Sequence, residues 1–142
     1  MNVSYLIVAK YAEQTNDGLN IIGGDIDLFF SETIPLNVPF LFVATKVVLG
    51  QEEASVPHSL RVRLVGPDGD QIIESDEIPV PANDFLPKED RFNAKLVFGF
   101  VNVVFLEEGL YRFQLLFDGK AEKDAPLRVA RRDADAPAAA QP

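Results

Sequence analysis

One-by-one alternation of apolar and polar residues constrains this chain more than any other sequence feature. The stretch 59–65 reads Ser-Leu-Arg-Val-Arg-Leu-Val, and stretches 92–100 and 111–117 show the same period. A period of two places the apolar side chains on one face of a β-strand. No segment sustains apolar residues at helical spacing, and ten prolines are spread along the chain, where they would interrupt long helices. The sequence therefore predicts an all-β protein.

Glycine turns separate the predicted strands. Asn16-Asp17-Gly18, Gly66–Asp70 and Asp118-Gly119 each lie between two apolar stretches, and such residues supply the positive φ values of tight turns. Counting the apolar stretches gives about eight or nine short strands. This pattern is typical of an antiparallel, immunoglobulin-like β-sandwich. A partly closed barrel is the alternative, because a sequence does not show closure.

Several stretches are expected to be less regular. The prolines of Ser31–Pro39 predict an extended linker, and those of Ile78–Asp90 predict a long crossing loop. The alternation loses its phase near Phe100-Val101, which predicts a bulge. Arg131–Pro142 has little to bury, so it is predicted to be a disordered tail that follows a sandwich domain spanning residues 1–130.

The composition argues against several classes of function. The formal net charge is −9, and an acidic surface repels nucleic acids and anionic membranes. The chain has no cysteine, which removes disulfides, zinc–thiolate sites and thiol nucleophiles. No apolar stretch approaches the roughly 18 residues of a membrane span, and the start lacks a signal-peptide pattern. These features predict a soluble, cytoplasmic protein with neither nucleic-acid nor membrane partners.

The chain also lacks the common catalytic motifs. It contains no G-x-S-x-G nucleophile elbow, no zincin motif, no Walker loop and no G-x-G-x-x-G fingerprint. His58 is the only histidine and lies at the start of a predicted strand, where a structural role is the simplest interpretation. We therefore predict a non-enzymatic protein without a cofactor. A small carboxylate-based hydrolase is the least favoured alternative, since the chain has no tryptophan to form a sugar platform.

Asp25 and Asp27 form the most prominent acidic pair. They follow Gly23-Gly24 and are separated by one residue, so alternation would place both carboxylates on one face of a strand. Two such groups, with backbone carbonyls, suit Ca²⁺. Solvated carboxylates, or charges that protect a sheet edge, are the other interpretation. Binding of Ca²⁺ or a small ligand is therefore the alternative functional hypothesis.

Two predicted strands are apolar on both faces, namely Phe40–Ala44 and Tyr5–Ala9. A strand of a sandwich needs only one apolar face. The surplus is either covered by loops and neighbouring strands or forms an interaction surface. The candidate surface comprises Phe40 and Phe42 together with Leu6 and Val8, or the residues on the opposite faces. The leading hypothesis is an interaction or assembly module that self-associates or docks a protein partner.

Tyr111 lies just after Gly109, at the start of the predicted penultimate strand. In immunoglobulin-like sandwiches, a tyrosine at this place donates a hydrogen bond back to the backbone of the preceding loop. Gly109 would permit the sharp corner that this bond needs. We therefore predict a structural role for Tyr111 rather than a catalytic one.

Three segments resemble a family of bacterial proteins of unknown function. They are Tyr5–Glu13, Leu19–Gly24 and Gly109–Phe113, the last followed by Asp118-Gly119. The resemblance covers about residues 1–130. It implies an all-β, immunoglobulin-like sandwich, and it implies no activity, cofactor or catalytic residue.

Overall fold

A computed structural model of the chain describes residues 1–83 and 90–133, and it is nearly all-β, as predicted. The helix in these ranges is the four-residue α1 (Gln51–Ala54). No helix in the described ranges is long and apolar enough to cross a membrane. The strands are β1 (Asn2–Ala9), β2 (Tyr11–Gln14), β3 (Leu19–Ile22), β4 (Leu28–Ser31), β5 (Leu36–Leu49), β6 (His58–Val65), β7 (Gln71–Glu74), β8 (Ile78–Val80), β9 (Phe92–Phe105), β10 (Gly109–Phe117) and β11 (Lys120–Arg131).

The strands form two larger sheets and one small hairpin. A three-stranded antiparallel sheet has the order β1-β5-β9. A six-stranded sheet has the order β4-β11-β10-β6-β7, with β8 also paired to β6. Its strands are antiparallel except for β4, which runs parallel to β11. Strands β2 and β3 form a separate two-stranded sheet, and one of the sheets is curled like a half-barrel.

Both larger sheets contribute to one hydrophobic core. Leu60, Val62 and Leu64 of β6 are fully buried, as their alternation predicts. Aromatic rings join the two sheets: the centroids of Phe100 and Phe113 lie 5.7 Å apart. Because the apolar faces of both sheets meet in this core, their opposite faces are the surfaces that remain for function.

The predicted linker at Ser31–Pro39 is partly wrong, because strand β5 already begins at Leu36. The phase change predicted at Phe100-Val101 is present, since Phe100 and Val103 are both buried while Val101 is exposed. The register between β5 and β9 nevertheless stays constant. Both strands change phase together, so neither has the extra residue of a bulge.

Two other irregular stretches contain strand residues. Ile78–Val80 of the predicted crossing loop forms β8, an edge strand in which Pro79 is tolerated. Residues 84–89 of that loop lie outside the described part. Arg131, predicted to begin the tail, belongs to β11 and pairs with Ser31 of β4. The remaining tail from residue 134 onwards lies outside the described residues, so its predicted disorder stays a prediction.

Tyr111 makes the predicted backward hydrogen bond. Its side chain is buried, and its hydroxyl donates to the carbonyl oxygen of Glu107 at 2.7 Å. The same hydroxyl accepts from the N–H of Glu107 at 3.3 Å. Gly109 adopts a φ of +148° between these two residues. We call the turn between β9 and β10 the corner. The hydrogen bonds of Tyr111 hold the corner in place, and Gly109 allows its backbone conformation.

Replacing Tyr111 by phenylalanine should lower the free energy of unfolding by about 1–2 kcal/mol, because the backbone groups of Glu107 lose their partner in a buried site. Urea denaturation measures this change. The control is Tyr5→Phe, since the Tyr5 hydroxyl makes no hydrogen bond within the described ranges, and we expect little change there. An unaltered denaturation midpoint for Tyr111→Phe would contradict the structural role.

Candidate functional site

Leu6 and Val8 do not belong to an exposed surface. Both are buried in the core, with 7% and 1% of their area exposed. In the register of β1 and β5, Val8 lies opposite Val43, and Phe42 lies opposite Ala9. Because cross-strand neighbours share a face, Val8 faces the core and Phe42 faces outward. The predicted grouping of Leu6 and Val8 with the two phenylalanines was therefore wrong.

Phe42 is on the outer face, but it is covered. The ring of Tyr11, from β2, meets the Phe42 ring edge-on with centroids 5.3 Å apart. On the other side, Phe42 lies over Gly99 of β9: a Cβ at that glycine would be 3.3 Å from the ring. Phe42 is half-buried as a result. The interpretation that a neighbouring segment covers the surplus apolar side chains holds for this residue.

Phe40 remains open. It is 63% exposed, and its cross-strand neighbour Val101 on β9 is 67% exposed. We call these two side chains the apolar pair. No charged residue lies within two positions of either one along its strand. Phe40 belongs to the surface predicted from the sequence. Val101 was not predicted to belong to it, because its outward direction follows from the phase change in β9.

A groove lies farther along β9, where the edge strands of the two larger sheets approach each other. Its walls include Ile72 from β7 and Val104 at the end of β9, and its volume is about 170 Å³. Asp68, Asp70 and Glu107 also line it. We call it the acid-rimmed groove. The sequence signal for this groove was the run 103–106, which is apolar at four consecutive positions.

Asp25 and Asp27 lie in a loop rather than on one face of a strand, which corrects the sequence prediction. The reason is local, because Gly23 and Asp25 both have left-handed φ values, +60° and +56°. The loop bridges two sheets: Ile26 donates its N–H to the carbonyl of Val8, and Asp27 accepts the N–H of Arg128. Even without a strand, the two aspartates are held near each other.

Both aspartates line the same cleft of about 410 Å³, together with Asp124 and Arg128. Among the described residues, no group of three or more His, Cys, Asp or Glu side chains is arranged to hold a metal ion. Any cation in this cleft would therefore need backbone oxygens or water for most of its ligands. The arrangement suits a small polar ligand as well as a cation.

His58 is fixed at both ring nitrogens. Nδ1 lies 2.6 Å from Oδ2 of Asp118, and Nε2 lies 2.6 Å from the carbonyl oxygen of Glu53. Because a carbonyl and an ionised carboxylate only accept hydrogen bonds, the two contacts together favour the ring that is protonated at both nitrogens. Burial alone would lower the pKa of His58, but the bonds to Asp118 and Glu53 outweigh it and raise that pKa. The ring links β6 to the turn after β10.

This arrangement predicts a pH dependence of stability. Since the folded state raises the pKa of His58 above the value of about 6.5 in the unfolded chain, its stabilisation is complete below that pH. It is lost as the pH rises through the folded pKa. The free energy of unfolding, measured by denaturation from about pH 5.5 to about pH 8.5, should therefore fall in this window.

Two variants control that measurement. His58→Gln should remove the part of the fall that His58 causes, because the chain has no other histidine. Asp118→Asn should reduce it, because the amide carries no charge, and asparagine tolerates the φ of +49° at this position. A fall of equal size in all three proteins would mean that His58 does not cause it.

Comparison with known proteins identifies a family. The sequence model of a family described as "Family of unknown function (DUF6941)" matches residues 4–130. No curated protein and no solved structure matches the chain. The match covers nearly all of the described residues, and the description of the family assigns no activity.

Proposed function

The chain belongs to DUF6941, a family of unknown function, and we propose that it is a non-enzymatic interaction module that self-associates through the apolar pair of Phe40 and Val101. The observation that carries this proposal is the exposure of two adjacent apolar side chains, 63% and 67%, on the outer face of a sheet. Exposed apolar surface of this kind marks interaction sites when it is contiguous.

A second copy of the chain is the partner that fits this surface. In a two-fold symmetric contact, the same patch meets itself, so a charged patch would oppose like charges. The positions around Phe40 and Val101 are uncharged, in a chain whose net charge is −9. This part of the surface is therefore one where two copies can meet without repulsion.

The state of His58 supports the non-enzymatic part of the proposal. A general base needs a free ring nitrogen within reach of a substrate. Both ring nitrogens of His58 are bound to protein oxygens, and the side chain is only 11% exposed. This histidine therefore serves to hold the turn at Asp118 against β6.

For the fold type, we propose an immunoglobulin-like sandwich. The shared core between two sheets and the hydrogen bond from Tyr111 to Glu107 support it. The bacterial origin implied by the resemblance and the cytoplasmic location expected from the sequence remain predictions.

Light scattering across a range of protein concentrations tests self-association. We expect the wild-type chain to dimerise and Phe40→Lys to remain monomeric. The matched control is Ile22→Lys, because Ile22 is also 63% exposed but lies on the β2–β3 hairpin; it should dimerise like the wild type. A wild-type monomer at all concentrations, or a dimer that survives Phe40→Lys, would overturn the proposal.

The cleft at Asp25 and Asp27 supports a second candidate function, the binding of a small ligand. Its volume of about 410 Å³ falls within the range of about 300–1,000 Å³ that is usual for ligand pockets. Calorimetric titration with Ca²⁺ tests the simplest form of this hypothesis. Heat that disappears in Asp25→Asn would support it, and the absence of heat in the wild type would dismiss Ca²⁺ as the ligand.

A further inference from the structure

The acid-rimmed groove has apolar walls from two different sheets. Ile72 on β7, Val104 on β9 and Leu106 just beyond it are 39%, 38% and 72% exposed. Strands β7 and β9 each end the strand order of their sheet, so the groove runs between two sheet edges. Its volume of about 170 Å³ is close to that of the roughly 150 Å³ cavity that accommodates benzene. The groove therefore has room for one large apolar side chain.

The groove is held in shape before any partner arrives. The buried Tyr111 lies at its base, and the tyrosine hydroxyl is fixed by two hydrogen bonds to the backbone of Glu107. Pro67 forms another part of the lining and lies directly against Gly109, where an added Cβ would be 2.6 Å from the proline ring. Rigid walls lower the cost of ordering that binding would otherwise incur.

Three carboxylates surround this apolar space. Asp68, Asp70 and Glu107 are exposed, and none forms an ion pair within the described ranges. The sequence contains no basic residue between Leu64 and Pro87. Burial raises the pKa of Tyr111; the hydrogen bond to the Glu107 backbone offsets part of this rise, and the charges of Glu107 and Asp68 add to it. The carboxylates thus converge on one place and create a negative potential over the groove.

We propose that the acid-rimmed groove docks a segment of a partner protein in which one large apolar side chain is flanked by lysine or arginine. The apolar side chain fills the space between Ile72 and Val104, and the flanking cations lie against Asp68, Asp70 and Glu107. Apolar contact at the centre with opposite charges at the rim is the usual anatomy of a specific interface. This surface is separate from the apolar pair, and a second acidic copy of the chain lacks the excess positive charge that the rim favours.

A labelled peptide tests the proposal on the full chain. The probe is Gly-Lys-Lys-Leu-Lys-Gly-amide with a fluorophore on its amino terminus in place of a free amine, and its binding is followed by fluorescence anisotropy at low ionic strength. Replacing the leucine of the probe by alanine should weaken binding about tenfold, because one large apolar contact is lost. Replacing its lysines by glutamates should abolish binding. Failure of the original peptide to bind, or equal binding of the acidic peptide, would overturn the proposal.

Variants of the protein locate the site. Leu106→Lys should abolish binding of the peptide, whereas Val56→Lys, at another exposed apolar residue, should leave it unchanged. Asp68→Asn with Asp70→Asn should weaken binding by roughly three- to tenfold, since each exposed ion pair contributes little.

Light scattering distinguishes a foreign partner from a second copy. Self-association that Leu106→Lys removes but Phe40→Lys preserves would assign the groove to a dimer interface and contradict this proposal.

Discussion

Leu41→Lys is expected to leave the chain largely unfolded, whereas Phe40→Lys should leave it folded. The two residues are neighbours on β5, but Leu41 is 1% exposed and Phe40 is 63% exposed. A lysine at position 41 would bury a charge without a partner in the core, which costs more than about 4 kcal/mol. That loss is comparable with the whole stability of an ordinary domain, about 5–15 kcal/mol.

Circular dichroism during thermal denaturation measures both variants. Phe40→Lys should show a cooperative transition with a stability within about 1 kcal/mol of the wild type, since surface substitutions rarely exceed this range. The comparison must be made at low protein concentration, because loss of a dimer also lowers the melting temperature. A folded Leu41→Lys, or an unfolded Phe40→Lys, would show that the inner and outer faces of β5 are assigned the wrong way round.

The sequence could not make this assignment by itself. Both faces of Phe40–Ala44 and of Tyr5–Ala9 are apolar, so alternation does not distinguish inside from outside. Pairing decides it: Val8 opposes Val43, and Val43 opposes Phe98, which places these three on the core face. Which strands pair, and in which register, depends on contacts between segments far apart in the chain. Alternation was sufficient only where one face is polar, as in β6.

The turn residues predicted where the strands are connected, but they did not always predict the backbone conformation of the connection. Asp118 and Gly119 both adopt positive φ, +49° and +83°, as a two-residue hairpin turn requires. Neither Asp17 nor Gly18 does so. Instead, Gly18 donates its N–H to the Thr15 hydroxyl oxygen and accepts the Thr15 N–H. The hairpin is present because a four-residue loop closes it, and loop length was not evident from the Asp-Gly signal alone.

The candidate sites also depended on contacts that local sequence patterns do not show. Asp25 and Asp27 were predicted to share a face because a strand was expected; they share a cleft because their loop bonds to β1 and β11. The acid-rimmed groove joins Ile72 to Val104, which are distant in sequence and lie in different sheets. Local patterns supply the apolar and acidic residues, but only packing of the two sheets brings them together.

Gly109→Ala is the second substitution with a large expected effect. The φ of +148° at this residue is unfavourable for any side chain, and a Cβ there would lie 2.6 Å from Cγ of Pro67. Backbone strain of about 1–3 kcal/mol and a steric displacement of similar cost should together lower the free energy of unfolding by about 2–6 kcal/mol. Urea denaturation measures this loss.

Two glycines separate the contributions of strain and contact. Gly119 has a φ of +83° and open space around it, so Gly119→Ala should cost only the backbone strain, about 1–2 kcal/mol. Gly18 has neither a positive φ nor a close neighbour, so Gly18→Ala should change stability by less than about 1 kcal/mol. Removing the proline ring in the double variant Pro67→Ala with Gly109→Ala should recover the part of the loss that is due to the contact. If Gly109→Ala is as stable as Gly18→Ala, then Pro67 does not lie against this corner, and the wall that it gives to the acid-rimmed groove is not rigid.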